Sequence, residues 1–396
     1  MMGKNVYFPF GFDDNGLPTE RFVEKQIGKK AHELPRQEFI AACLKQTEKS
    51  EDEFYALYKS AGFSCNLKEH YSSISKRSQK ISQASFLELY KKGLIYRAES
   101  PALWCTECCT AVAQSELEDK EVDSVFNYIK FKHADSDEFV IIATTRPEML
   151  PACVCVFAHP SDPKTKHLIG KKLVVPYFNK EVEVLADDLV NPEKGSGLVM
   201  CCTFGDTTDK EWQRKHNLPI LECINERGRM TALGGEFEGL KIKEARAKII
   251  EKLEDVGLLI KKEDIKHAVS VHERCGVPIE IAVKKQWFIN VLDQKDRIYQ
   301  AGLDLNWHPQ NMRARYLNWV ENLKWNWCIS RQRYFGIPFP VWYCKDCGEI
   351  LLADEKDLPV DPAADKPKQK CKCGCTEFIA ESDVIDRKST RLNSSH

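Results

Sequence analysis

The chain carries almost no net charge: 58 lysines and arginines face 59 aspartates and glutamates over 396 residues, a balance of −1. No global basic field therefore points to a nucleic acid, and any such contact must come from local patches. No apolar run approaches the length of a membrane span, and Met1 to Asp13 lacks the charged-then-apolar build of a secretory leader. A cytoplasmic protein without a membrane partner is expected. Several catalytic signatures are missing too. Neither GxxxxGK[ST] nor GxGxxG occurs, so no standard nucleotide fold can be read from a glycine-rich loop. The absence of HExxH excludes the common zinc-protease helix. The HxE and PCxxC pair of zinc deaminases and the GxSxG elbow of serine hydrolases are absent as well.

What is abundant is cysteine. Seventeen cysteines in a long chain without a leader favour reduced thiols and metal knuckles over a disulfide framework. Two short pairs stand far apart, Cys105-Thr-Glu-Cys108 and His272-Glu-Arg-Cys275. Together they make the Cys3His set of a closed tetrahedral zinc site, without an open catalytic position. If they share one ion, the segment between them is an insert held at its stem. A second cluster begins with Cys344-Lys-Asp-Cys347 and reads as a zinc ribbon. Its other half is open, because Cys371, Cys373 and Cys375 compete for two places; Cys344, Cys347, Cys371 and Cys373 are the working set. About two structural zinc ions per chain follow.

Hydrophobic residues make up 43% and charged residues 30%, as in ordinary globular proteins, and the length suits two or three domains. Pro18 and Gly28 bracket a first helix, after a polar turn holding Asp13, Asp14 and Asn15. Such strand-to-helix turns are where open α/β sheets place ligands; these side chains can grip an ammonium group or simply cap the helix. Helices are expected over 35–61, with Leu44, Phe54, Leu57 and Tyr58 on its apolar face, and over 72–92. The second carries Lys76, Arg77 and Lys80, which suit a phosphate backbone or a solvated face. From residue 125 the period changes to strand alternation, with strands at 125–131, 139–144, 153–158, 173–178, 181–186 and 197–203. These suggest a small closed β unit. A helix at 241–255, strands near 266–271 and 278–283, and a helix at 310–323 complete the pattern.

Four stretches in order carry a resemblance. They are Gly11-Phe-Asp-Asp-Asn-Gly-Leu-Pro-Thr-Glu20, Ala143-Thr-Thr-Arg-Pro-Glu148, Gly195-Ser-Gly with Phe204-Gly-Asp-Thr-Thr-Asp-Lys-Glu-Trp212, and Trp327-Cys-Ile-Ser-Arg-Gln332. Together they resemble the class I aminoacyl-tRNA synthetases, in the valine, isoleucine and leucine branch that carries an editing insert, nearest the archaeal-type valyl members. The likeness covers about residues 5–386. It implies an α/β fold: a Rossmann-type catalytic domain with an inserted, mostly β editing domain and zinc knuckles. The implied boundaries are 1–120 for the first catalytic part with a zinc half-site, 121–265 for the editing insert, 266–343 for the return and 344–380 for the ribbon.

The resemblance also implies roles. Asp13, with Asn15, holds the substrate ammonium in the synthetic site, and Trp327, Ser330 and Gln332 line that pocket; Phe335 stands where many relatives have tryptophan. In the insert, Asp209 holds the amino group of a mischarged residue, and Thr144, Thr145 and Arg146 hold the tRNA terminus. Asp206 and Lys194 are secondary candidates. On spacing alone Asp206 and Asp209 are helix N-terminal caps. The implied partners are tRNA(Val), valine and ATP with Mg2+, and the implied state is monomeric. A pocket shaped for valine cannot strongly reject threonine, its hydroxylated isostere, which is why a second, hydrolytic site is needed.

The chain departs from the family pattern at both ends. No HIGH-type motif precedes the GFDDNG stretch and no KMSKS-type loop follows the second cysteine cluster. The match stops after Asp386, and 387–396 looks like an unrelated tail. The expectation is a fragment competent only for editing, which would not exchange pyrophosphate with valine. An isoleucyl member, or a free-standing tRNA-binding or trans-editing protein, would share most of these features.

Overall fold

A computed structural model describes residues 3, 8, 10–64, 66 and 69–386. The tail expected at 387–396 lies outside them. Strand β1 (Phe10–Phe12) leads into helix α1 (Leu17–Ile27), which has proline in its first turn and closes on Gly28 in the left-handed conformation. Helix α2 (Arg36–Ser60) is buried only along Phe39, Cys43 and Thr47, an i, i+4, i+8 stripe in its first half. This corrects the expected face: Leu44, Phe54 and Leu57 are 41–59% exposed. Strand β2 (His70–Ser72) runs parallel to β1. Helix α3 (Lys76–Lys91) starts on Ser75, whose hydroxyl accepts from the Ser78 amide at 3.2 Å. It buries Gln83, whose side chain donates to the Pro338 and Val360 carbonyls and accepts from the Val360 amide.

The chain divides into two compact units, Glu99–Lys284 and the residues on either side of that segment. It enters the Glu99–Lys284 unit within strand β3 (Ile95–Cys105). There, β4 (Thr110–Ala111) pairs back on β3, and β5 (Leu117–His133), β6 (Phe139–Thr144), β7 (Cys153–Ala158), β8 (Lys172–Val175), β9 (Lys180–Ala186) and β10 (Leu198–Cys202) follow. With β11 (Leu259–His272) five of these form a sheet in the order β10–β7–β9–β8–β5–β11, and β6 joins as the seventh strand by pairing β5. The sheet curls until β6 lies beside β10. Helix α4 (Thr207–His216) packs Trp212 onto Phe157, ring centroids 4.4 Å apart. Helix α5 (Ile242–Asp255) buries Ala245, Ile249 and Leu253 against Ile129, Phe131 and Leu150. Most expected strands fall within a few residues of these.

Strand β12 (Glu280–Ile289) leads the chain out of the Glu99–Lys284 unit and back to the other one. There Trp287 is fully buried with Phe86 and Phe339 around it. Helices α6 (Lys295–Asp304) and α7 (Met312–Glu321) form a hairpin in which Gly302 lies under the Tyr316 ring. A Cβ on Gly302 would come within 2.1 Å of that ring, whose hydroxyl is tied to the Ile298 carbonyl. Gly302→Ala is therefore expected to lower stability by about 1–3 kcal/mol, read as a lower midpoint in urea at unchanged slope. Short strands finish the unit: Ser330–Arg331 and Ile337–Pro338 flank Val384–Ile385, and Val341–Cys344 lies between Ile350–Leu352 and Phe378–Ala380. Mixed α/β is the class expected.

Candidate functional site

In the Glu99–Lys284 unit the ATTRPE and GDTTD stretches meet. Strand β6 ends at Thr144, whose hydroxyl accepts from the Arg146 amide at 3.0 Å and whose carbonyl accepts from Asn127 at 3.3 Å. Thr145 is half-buried beside it. The Arg146 guanidinium reaches across to donate to the Gly205 carbonyl at 2.8 Å. Gly195, at φ +62°, brings its loop onto β6 so closely that a Cβ would lie 2.9 Å from that of Ala143. Lys194, one residue earlier, is exposed.

Asp206 and Asp209 cap α4 reciprocally. Asp206 Oδ1 accepts from the Thr208 and Asp209 amides at 2.7 and 3.1 Å. Asp209 Oδ2 accepts from the Gly205 and Asp206 amides at 2.7 and 3.0 Å. The capping role read from spacing is thus present. The two carboxyls differ in surroundings: Asp206 is exposed, whereas Asp209 is 5% exposed. Burial, with the Asp206 charge adding to it, pushes the Asp209 carboxyl up to about 7. The Cys201 thiol stands beside it as a weak donor. Gly205 has no room for a side chain, since a Cβ would meet Asp209 Oδ2 at 2.7 Å.

Around Arg146 lies a network of charges. Its Nε donates to Glu148 at 3.1 Å and its Nη2 to Glu280 at 2.7 Å. Glu148, fully buried, also accepts a bidentate pair from Arg246 of α5 at 2.7 and 2.8 Å. Burial opposes its charge, but the two guanidiniums hold its carboxyl below the usual range. Behind α4, Asp187 accepts from Lys215 and His216, each at 2.8 Å, so the helix is fixed at its far end too.

Both cysteine clusters close. Cys105, Cys108, His272 and Cys275 bring their ligand atoms within 4.8 Å of one another, as do Cys344, Cys347, Cys371 and Cys373. Adjacent ligand atoms lie 3.4–3.5 Å apart. A tetrahedron with metal–sulfur bonds of about 2.3 Å has edges of about 3.8 Å, so each quartet is already near the size an ion needs, its closest pairs opening slightly to receive one. The Cys108 amide donates to Cys105 Sγ at 3.3 Å, a bond that fixes a knuckle around a thiolate. Cys375 stays outside the second quartet and accepts from the Glu377 amide.

In the other unit Asp13 is exposed, while Asp14 and Asn15 are buried. Asp14 takes the Ser72 hydroxyl, and its amide donates to Ser73 at 2.9 Å. Ser330 is fully buried and bonds Gln286, which also accepts from Gln332 at 3.1 Å. Gln332 donates to Asp383 at 2.6 Å, and Trp327 Nε1 to Asp386 at 3.2 Å. Ser330 and Gln332 are thus joined through Gln286. Glu20, 3% exposed, connects this segment to α1 by accepting from the Tyr334 and Phe335 amides and pairing with Arg333 at 3.0 Å. Phe335 is core. Sequence reasoning missed Gln286, Glu280 and Arg246, which no local pattern marks; Glu20 and Glu148 at least lie inside quoted stretches.

Residues 1–387 match the family model for tRNA synthetases class I (I, L, M and V). The chain is 48% identical over 391 residues to the valine-tRNA ligase of Thermoplasma acidophilum, covering 98% of this chain and 49% of that protein. It is 50% identical over 394 residues to the valine-tRNA ligase of Rickettsia rickettsii (strain Sheila Smith), covering 98% and 48%. A crystal structure of the ternary complex of Agrobacterium radiobacter K84 agnB2 LeuRS, tRNA and LeuAMS overlaps loosely, with a TM-score of 0.39 and 18% identity over 98% of this chain and 50% of that one. The chain spans about half the length of the curated relatives it matches.

Proposed function

The chain belongs to the class I tRNA synthetases (I, L, M and V), and on that premise we propose that it is part of a valine-tRNA ligase and carries the site that hydrolyses Thr-tRNA(Val). The observation that supports this most is the bond from Arg146 to the Gly205 carbonyl, which joins the threonine strand to the Asp209 cradle. Ester hydrolysis in such a place needs a carboxylate for the ammonium, donors for the ester and terminal ribose, and a held water. Asp209 has one oxygen committed to two amides and offers the other to the ammonium. An incoming cation draws the carboxyl back to its ionised form. Thr144 and Thr145, which precede Arg146 at the end of β6, would serve as hydroxyl partners for the tRNA end.

The ligase reaction itself, with valine, ATP, Mg2+ and tRNA(Val), belongs to the whole enzyme. Asp13, Asn15, Trp327, Ser330 and Gln332 would serve its amino-acid site. Their packing suits unequal tasks: Asp13 can reach a substrate, while Ser330 and Gln332 shape the wall through Gln286. Zinc is the ion best suited to the two thiolate-rich quartets, where it would hold the fold rather than act on substrate.

The test is ATP-free deacylation by the purified chain, with Thr-tRNA(Val) against Val-tRNA(Ile). Preference for the first is expected, and Asp209→Ala should slow it by at least ~10²-fold. Unchanged hydrolysis in that variant would remove Asp209 from the mechanism. Preference for Val-tRNA(Ile) would move the chain to the isoleucyl members.

A further inference from the structure

Each nitrogen of the Arg146 guanidinium already serves a protein partner. Its Nε, Nη1 and Nη2 go to Glu148, Gly205 and Glu280, and its backbone amide goes to Thr144. The partners come from four separate places: the turn after β6, the loop before α4, the start of β12 and, through Glu148, helix α5. An arginine tied at all three nitrogens is held in one place, and only one N–H on each Nη is left for any further contact.

What it holds is specific. The Gly205 carbonyl it binds shares its planar peptide with the Asp206 amide, which donates to Asp209 Oδ2 at 3.0 Å. Pulling on that carbonyl sets the peptide on which the carboxylate rests. Glu280 holds the guanidinium in turn, as the carboxylate partner of Nη2 at 2.7 Å.

We propose that Glu280 is a positioning residue for editing, which acts through Arg146 and the Gly205 carbonyl to hold the Asp209 carboxylate buried in its two-amide cradle, and that Arg146 positions rather than touches the substrate. This rests on the editing reading of the same site. When the contact is lost, the loop before α4 relaxes, water reaches Asp209, and its carboxyl falls from about 7 toward the ordinary range. Asp206, Cys201 and Cys202 are the titratable groups facing it and keep their places on the loop and β10.

The experiment compares the wild-type chain with Glu280→Ala and Glu280→Gln in two readouts. In Thr-tRNA(Val) deacylation, Glu280→Ala should lower kcat about tenfold with KM nearly unchanged, and Glu280→Gln, which keeps an acceptor for Nη2, should recover most of the rate. The acid limb of the pH profile should move down by about one unit or more in Glu280→Ala. A raised KM at unchanged kcat would mean that Arg146 touches substrate and would overturn the proposal. The second readout needs no substrate: 13C NMR of aspartate-labelled protein, with Asp209 assigned by Asp209→Asn. Its carboxyl should titrate near 7 in wild type and lower in Glu280→Ala. An unmoved titration sinks the inference whether or not the chain hydrolyses anything. Absence of hydrolysis with a shifted titration removes the editing reading and leaves the support of Asp209 by Glu280 standing.

Discussion

Replacing His272 with alanine is expected to remove one of two bound metal ions and to unfold much of the Glu99–Lys284 unit. The quartet draws its ligands from positions 167 residues apart, Cys105 and His272, so an ion there closes a long loop. Structural zinc supplies about 10–16 kcal/mol of apparent binding energy in small domains, and that energy is folding energy when the site exists only in the folded chain. A quarter of the ligand set cannot be lost without losing most of it. The local backbone leans on the same residue: the His272 carbonyl accepts from the Cys275 and Gly276 amides, and its amide donates to Val277. Metal analysis should give about two ions in wild type and one in His272→Ala. Cys344→Ser should lose the other ion and leave the thermal transition of the Glu99–Lys284 unit unchanged. Two metals retained by His272→Ala would show that the pairs do not share an ion.

Asp209→Asn should make the protein more stable at pH 8 while stopping deacylation. The folded carboxyl, pushed up to about 7, keeps its proton to higher pH than the same group in the unfolded chain. Its contribution to stability is therefore fully present below about pH 4 and is lost as pH rises through about 7. Above that, wild type keeps a charge in a place that resists it. Each tenfold in the proton equilibrium is worth about 1.4 kcal/mol, which bounds the cost at about 4 kcal/mol. Asparagine keeps the oxygen that accepts from Gly205 and Asp206 and carries no charge. The expected gain is about 5 °C or more in Tm at pH 8, shrinking to nothing near pH 4. A gain equal at both pH values would trace to packing instead. Functional residues are commonly held at a cost in stability, and this would be one such residue.

Local chemistry in the sequence marks much of this molecule. Pro18 and Gly28 bound α1, and Ala245, Ile249 and Leu253 give α5 its face. The three-residue spacing of Asp206 and Asp209 announces the start of α4. The long α2 misled because its apolar residues outnumber the neighbours that cover it: Leu44, Phe54 and Leu57 fit a helix face that the described structure leaves exposed. The first halves of β5 and β11 gave no signal, since Leu117–Ser124 is charged on both faces. The site was legible where its residues adjoin in sequence and illegible where they are brought from afar. Glu280 lies 134 residues from Arg146, and Gln286 lies 44 from Ser330. Nothing near either residue marks it as a partner.

The ladder between β5 and β11 has a mechanical consequence. From Leu117↔His272 to Val125↔Asp264 the two strands pair residue by residue, and apart from His272 and Val271 at the end no side chain is fully buried. A ribbon without an apolar face specifies its alignment weakly, and a slip of two residues preserves which side each chain points to. Such a slip would carry the His272 imidazole about 7 Å along the ribbon, away from the thiols of Cys105 and Cys108. An ion in that quartet would act as a ratchet pawl, admitting one alignment of the ribbon and rejecting its neighbours. Matched two-residue insertions in both strands should then be tolerated, and the same insertion in one strand should not.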